Sequence, residues 1–278
     1  MKQHTLKESY TFRGRGLHTG KAVEMHLLPA PENQGILFRR TDLPGEPSVA
    51  ASVDNVGRTH RSTTLTANGV RILTPEHLLS ALYGLGVDNA TVCLDAPEVP
   101  ALDGCGRHYA DAILADGLEE QSAERRMLVV RKPCVYEDPL SGSRIAFEPA
   151  DGFEIDLTVD FRARAIGVQK ARWDASSDYA RDIAPCRTFC FLREVLPLRL
   201  AGLIRGGTLD NALVVRGGGF VGRPKLHFDN EPARHKLLDL LGDLSLAGRP
   251  IQGRITAYKP GHQANTQALR QFLSDHTL

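Results

Sequence analysis

Cysteine is scarce in this chain, net charge is almost absent, and long apolar runs are missing. Each shortage removes a class of protein. The five cysteines, at positions 93, 105, 134, 186 and 190 of 278, are odd in number, scattered, and form no C-x-x-C pair. A disulfide framework is therefore not expected, and the thiols suit a reducing cytosol. Cys186 and Cys190 lack the second pair that a structural zinc site would need. The 34 basic and 33 acidic residues nearly cancel, which argues against a nucleic-acid or anionic-membrane surface. No apolar run approaches the ~18 residues of a membrane span. The opening MKQHTLKESY lacks the apolar core of a signal peptide, so a cytoplasmic protein without an integral membrane segment is expected. G-x-S-x-G, Walker and H-E-x-x-H motifs do not occur. GGGFVG at 217–222 fits G-x-G-x-x-G, but Pro224 and no helical pattern follow it. A turn is expected there rather than a phosphate loop.

What remains is an ordinary apolar share, 42%, in a chain long enough to bury a core. It reads as two similar halves. AVEMHLLPA (22–30) alternates apolar and polar residues and is followed by PENQG and GILF, which predicts a hairpin. FEIDLTVDF (153–161) alternates Phe153, Ile155, Leu157, Val159 and Phe161 with polar neighbours, and RIAFEP before it would be its hairpin partner. In the first half EHLLSALYGLG precedes a strand NATVCLD, a loop and a helix around HYADAILADG. In the second, RHKLLDLLGDLSLAG precedes a strand IQGRITAYK, a loop and a helix around NTQALRQFLSD. The expected fold class is α+β: two domains of like topology, residues 1–124 and 125–278, each with helices on one face of a mostly antiparallel sheet and with a site at their interface.

Chemistry-bearing residues fall at matching places in the two halves. In ARHKLLDLLGDL (233–244) five leucines gather on one side, with His235, Asp239 and Asp243 at four-residue intervals opposite. Residues so spaced share a helix face, about 5–6 Å apart at Cβ, and can bind one metal. The same spacing also suits an exposed ion pair worth ~0.3–0.5 kcal/mol, so the helix alone leaves the choice open. In TPEHLL (74–79) Thr74 is read as the N-cap and Pro75 as the first helical residue. His77 could ligate a metal there while Glu76 reaches a nearby water. Alternatively, Glu76 merely complements the helix dipole. Taken together, His77, His235 and Asp239 leave a fourth tetrahedral position open, the mark of catalytic rather than structural zinc. Glu76 would be the base and His262, oriented by Asp243, a second acid–base group.

Seven ordered blocks resemble one family, the UDP-3-O-acyl-N-acetylglucosamine deacetylases, zinc amidases of lipid A synthesis in Gram-negative bacteria. The blocks are GRGLHTG (14–20), TPEHLLSALYGLGVDN (74–89), DAPEVPALDG (95–104), RTFCFLRE (187–194), GLIRGGTLDNALV (202–214), RHKLLDLLGD (234–243) and AYKPGH (257–262). The resemblance implies two similar β-α-α-β sandwich domains with helices packed between the sheets, around one Zn²⁺ held by His77, His235 and Asp239, with Glu76 as general base. It implies His262, supported by Asp243, as the cation that protonates the departing amine. Thr188 would bind the oxyanion, with Lys236 near it or the diphosphate. His18, Lys259, Phe161, Phe189 and Phe191 would bind substrate. An insert near 188–214, with Leu198, Leu200, Leu203 and Ile204, would form an acyl channel. The only partner implied is a small UDP-linked amino sugar, and the chain is expected to act as a monomer. Glu148 departs from the pattern, standing where some members carry a basic residue for the nucleotide. Competing readings are a deacetylase of another amino sugar, a silent binding protein on the same scaffold, and a thiol enzyme using Cys186 or Cys190.

Overall fold

A computed structural model describes residues 1–276; residues 277 and 278, the end of the expected second domain, lie outside the described residues. The chain is α+β. Its first large sheet contains β1 (Tyr10–Arg15), β2 (Ala22–Pro29), β3 (Ile36–Arg40), β4 (Ser48–Ala50) and β5 (Ala90–Leu94), in the order β1-β2-β5-β3-β4. The second contains β6 (Cys134–Asp138), β7 (Ser143–Glu148), β8 (Phe153–Asp160), β9 (Val168–Trp173) and β10 (Ile251–Tyr258), in the order β6-β7-β10-β8-β9. The two orders are the same. In each sheet the last strand enters the middle, antiparallel to the second and parallel to the third.

That arrangement corrects both expected hairpins. β2 and β3 flank β5 and do not pair, and β7 and β8 flank β10 in the same way. In the middle position the later strand pairs its backbone on both edges, and this outweighs the local pairing that sequence adjacency favours. The alternation itself holds: Ile155, Leu157 and Val159 are buried along β8. GGGFVG forms a turn, with Gly219–Phe220 pairing back on Leu213–Arg216.

The longer helices are α1 (Glu76–Leu85), α2 (Arg107–Asp116), α3 (Leu192–Leu200), α4 (Glu231–Leu244) and α5 (His262–His276). α1 and α4 pack on each other at the seam between the halves. Leu237, Leu238, Leu240, Leu241 and Leu244 of α4 are fully buried. Gly242 permits the close crossing, since a Cβ on it would overlap the Glu76 carbonyl oxygen. A strand at Leu118–Glu124 pairs with Lys2–Leu6, whereas Leu128–Val129 pairs with β10. Among the described residues, no helix is long and apolar enough to cross a membrane.

Candidate metal centre

The polar stripe of α4 faces inward: His235, Asp239 and Asp243 are each at most 2% exposed. His77 reaches them from the first turn of α1, its ring centroid 5.0 Å from that of His235 and nearly perpendicular to it. The Nε2 atoms of His77 and His235 lie 3.6 and 3.4 Å from Asp239 Oδ1. Ligands ~2.0–2.1 Å from a tetrahedral ion stand about 3.4 Å apart, so these separations fit one cation between them. Three observations support that fit. Asp239 Oδ1 is buried with no hydrogen-bond partner among the described residues. His235 Nδ1–H donates to the Cys186 carbonyl at 3.0 Å, which leaves the Nε2 lone pair aimed inward. The protonation states also suit ligation. Burial pushes the His235 pKa down to about 4, keeping the ring neutral. For Asp239, burial favours the neutral acid, but Lys236, His235 and His262 outweigh it and hold the carboxyl well below its usual range.

Two groups of opposite character flank this set. Glu76 is 2% exposed, and its desolvation lifts the carboxyl to about 7 despite His262 and His77. His262 Nε2 stands 3.7 Å from Glu76 Oε1 and 3.9 Å from Asp239 Oδ2. Burial opposes its positive charge, yet Asp243, Glu76 and Asp239 prevail and raise it to about 9. A carboxylate able to accept a proton near neutrality thus faces an imidazolium able to give one.

Residues that the motifs did not single out complete the surroundings. The Thr63 hydroxyl, fully buried, donates to Asp243 Oδ1 at 2.6 Å, and its N–H donates to Glu76 Oε2 at 3.3 Å. The Asn265 amide donates to Asp243 Oδ2 at 2.8 Å. Thr63 lies in RTHRSTTLT, which has no periodicity to mark it, and Asn265 lies one turn past His262.

The other residues expected to meet substrate gather on the side of the later insert. Phe161, Phe189 and Phe191 form a cluster with ring centroids 5.5–6.4 Å apart. Phe189 also lies 6.2 Å from the His235 ring. Lys236 pairs with Asp239 Oδ2 at 2.7 Å and sits over Phe189. Lys259, at the end of β10, pairs with Asp160 Oδ2 at 3.2 Å. Glu148 lies opposite Arg254, at the far end of the β7–β10 pair from Lys259, so its charge does not oppose that lysine. His18, Thr188, Leu198, Ile204 and Val214 line a cavity of about 260 Å³ beside the cluster. Leu200, by contrast, is 80% exposed and Leu203 does not line the cavity. Thr74 does not cap α1; its backbone is left-handed and its hydroxyl donates to Glu98. The thiol reading fails: Cys186 is fully buried, and burial raises both its pKa and that of Cys190, the reverse of an activated thiolate.

A structural metal site closes its coordination with protein atoms, whereas this set offers three ligands with an acid and a base beside it, and the cavity-lining Phe189 stands next to His235. That build is the one found in hydrolytic metalloenzymes. Comparison with known proteins makes the class particular. The family model LpxC, UDP-3-O-acyl N-acetylglycosamine deacetylase, matches residues 3–274, and the chain belongs to this family. It is 43% identical over 274 residues to the UDP-3-O-acyl-N-acetylglucosamine deacetylase of Myxococcus xanthus, covering 98% of this chain and 87% of that one. Identity to the deacetylase of Acidithiobacillus ferrooxidans is 42% over 277 residues, covering 98% and 90%. The bifunctional enzyme LpxC/FabZ of Bacteroides thetaiotaomicron is 39% identical over 98% of this chain, and the chain spans 64% of that relative's length.

Proposed function

We propose that the chain hydrolyses the N-acetyl group of a UDP-linked, 3-O-acylated N-acetylglucosamine, releasing acetate, as a zinc-dependent step in lipid A synthesis. The observation that carries the reading is the convergence of His77, His235 and Asp239 on one point, with Glu76 and His262 beside it, in a chain of this family. Those three residues would hold Zn²⁺, which when bound polarises an amide carbonyl and acidifies water.

The remaining work belongs to the chain's own groups. Glu76, ionised, takes a proton from the attacking water, and the amide carbon becomes tetrahedral. Thr188 and the ammonium of Lys236 stand on the Phe189 side to stabilise the oxygen that gains charge. His262 gives its Nε2 proton to the nitrogen as the C–N bond breaks, and Asp243 keeps that imidazole oriented and charged. The aromatic cluster and Lys259 would receive sugar and diphosphate, and the cavity beside His18 would take the acyl chain. We also infer a domain boundary near residues 124 and 125, where pairing passes from the Lys2–Leu6 strand to β10.

The deciding experiment measures acetate release from the acylated UDP-sugar before and after chelation, with Zn²⁺ restored. The same assay on the sugar lacking its 3-O-acyl chain separates this substrate from other amino sugars. Equal rates on both sugars would move the assignment to a broader deacetylase.

A further inference from the structure

Glu98 takes no part in the chemistry above, yet it is 1% exposed and ionisable. Its Oε1 accepts the His18 N–H at 2.8 Å and the Thr74 hydroxyl at 3.0 Å. Its Oε2 accepts the Thr19 N–H and the Thr19 hydroxyl, both at 2.7 Å. A carboxylate offers about four lone-pair positions, and here four donors fill them.

The donors come from two segments on different sides of the site. His18 stands in the wall of the 260 Å³ cavity. It is 3% exposed, and neither ring nitrogen has a hydrogen-bond partner among the described residues. Thr74 is the bend from which the chain enters Pro75, Glu76 and His77. Its φ of 55° is unusual for a β-branched residue and costs on the order of 1–3 kcal/mol unless neighbours impose it. Two contacts do so: its N–H donates to the Thr63 carbonyl at 3.0 Å, and its hydroxyl donates to Glu98.

We propose that Glu98 is a positioning residue that sets both sides of the centre at once. Through His18 and Thr19 it fixes the cavity wall that meets substrate. Through Thr74 it fixes the direction in which α1 starts, and so the placement of Glu76 and His77. The substrate half of this inference rests on the deacetylase reading; the metal half does not.

Glu98→Gln tests it with almost no change of shape. The carboxamide nitrogen must face either the His18 or the Thr19 backbone N–H, and a backbone donor, unlike a hydroxyl, cannot turn round. One clamp is therefore lost. Three quantities are measured on the variant: its urea midpoint, its Zn²⁺ affinity against a chelating dye, and kcat and KM for acetate release. The Thr74 hydroxyl can turn to accept, so its contact survives in either orientation and the lost donor is always on the His18–Thr19 side. We expect a folded protein whose kcat/KM falls about 100-fold with its Zn²⁺ affinity kept. Thr74→Val, expected to lose about tenfold in Zn²⁺ affinity, and Thr19→Val test the two sides separately and also serve if Glu98→Gln does not fold. The first is also expected to lower kcat, and the second to raise KM with Zn²⁺ affinity unchanged. A lower urea midpoint with wild-type Zn²⁺ affinity and kcat/KM in the folded fraction would overturn the inference. A wild-type protein that releases no acetate, alongside a Thr74→Val variant with weakened Zn²⁺ affinity, would sink the deacetylase reading and leave the role of Glu98 standing.

Discussion

His262 and Asp243 meet across 2.9 Å, Nδ1 to Oδ2, with both side chains buried. Asp243 is itself held by Thr63 and Asn265, so it cannot swing away. The contact directs Nδ1–H at a carboxylate and leaves Nε2–H for the site. It also supplies the largest attraction keeping the ring charged at neutral pH. Asp243→Asn preserves the acceptor and removes the charge. Its kcat should fall about 10–100-fold, and the basic limb of the pH–rate profile should move toward lower pH. An unmoved limb would remove Asp243 from the acid's support.

The two flanking groups define the profile itself. Glu76, raised to about 7, must be ionised to accept a proton, so the rate rises as pH climbs through its pKa. His262, raised to about 9, must be protonated to donate, so the rate falls above its pKa. A bound dication adds positive charge and lowers both values. The expected profile is therefore a bell with its acid limb at or below about 7 and its basic limb at or below about 9. Glu76→Gln and His262→Gln should each cost about 10²–10⁴ in kcat. A basic limb unaltered in His262→Gln would reassign the acid.

How far the sequence carries this picture depends on range. Period-two alternation in FEIDLTVDF and the leucine side of α4 are local signals, and both survive folding intact. The grouping of the candidate metal residues is legible because i,i+4 spacing fixes His235 and Asp239 on one face, and family blocks supply His77. Strand order is not legible, since the neighbours of β2 and β7 are decided by strands that arrive much later in the chain. Thr74 departs from expectation for a related reason. Its chemistry suits a cap, but Glu98, brought in by tertiary structure, takes its hydroxyl. Thr63 matters only because Asp243 and Glu76 are folded onto it. Leu200 suits the cavity by composition, since α3 is rich in leucine, yet it sits on the outer face.

Metal binding should be visible without any substrate. A cation that binds only the folded protein stabilises it by about 4 kcal/mol at a concentration 1,000 times Kd. For a chain of this size that raises Tm by on the order of 8 °C. Calorimetry with and without Zn²⁺ reads the shift, and His235→Ala should abolish it. A shift of equal size in that variant would place the ion elsewhere.

The cavity lined by Leu198 and Ile204 should be read out by chain length. Each buried CH₂ is worth about 0.8 kcal/mol, so an acyl chain seated there contributes several-fold in KM per carbon. Leu198, on α3 and 8% exposed, can be enlarged inward. Leu198→Trp should raise KM for long-acyl substrate at least tenfold and flatten the dependence on length, with Zn²⁺ affinity unchanged. Steady-state kinetics on a series of acyl lengths checks this, and an unchanged series would put the acyl chain outside the cavity.

Glu231 joins the stability of α4 to the placement of Thr188 and Phe189. Its side chain is fully buried and accepts the Arg187 guanidinium and N–H at 2.8–3.1 Å and the His227 N–H at 2.8 Å. Arg187 immediately precedes Thr188, so this one carboxylate anchors the segment that faces the metal set. Burial alone would raise its pKa, but the donors outweigh burial and lower it. A carboxyl depressed in the folded state contributes stability that is complete above its unfolded pKa, about 4.3. That contribution drains away as pH falls through the folded value. Urea midpoints between about pH 6 and pH 3 should therefore drop in the wild type and drop less steeply in Glu231→Gln. Arg187→Ala leaves the carboxylate buried and uncompensated, and should cost about 3 kcal/mol or more at neutral pH. Because the strand Phe189–Phe191 hangs from this anchor, both variants should lose turnover beyond what their folded fraction explains, with Zn²⁺ affinity kept. Parallel loss of Zn²⁺ affinity would instead mean that Glu231 governs α4 as a whole rather than the segment carrying Thr188.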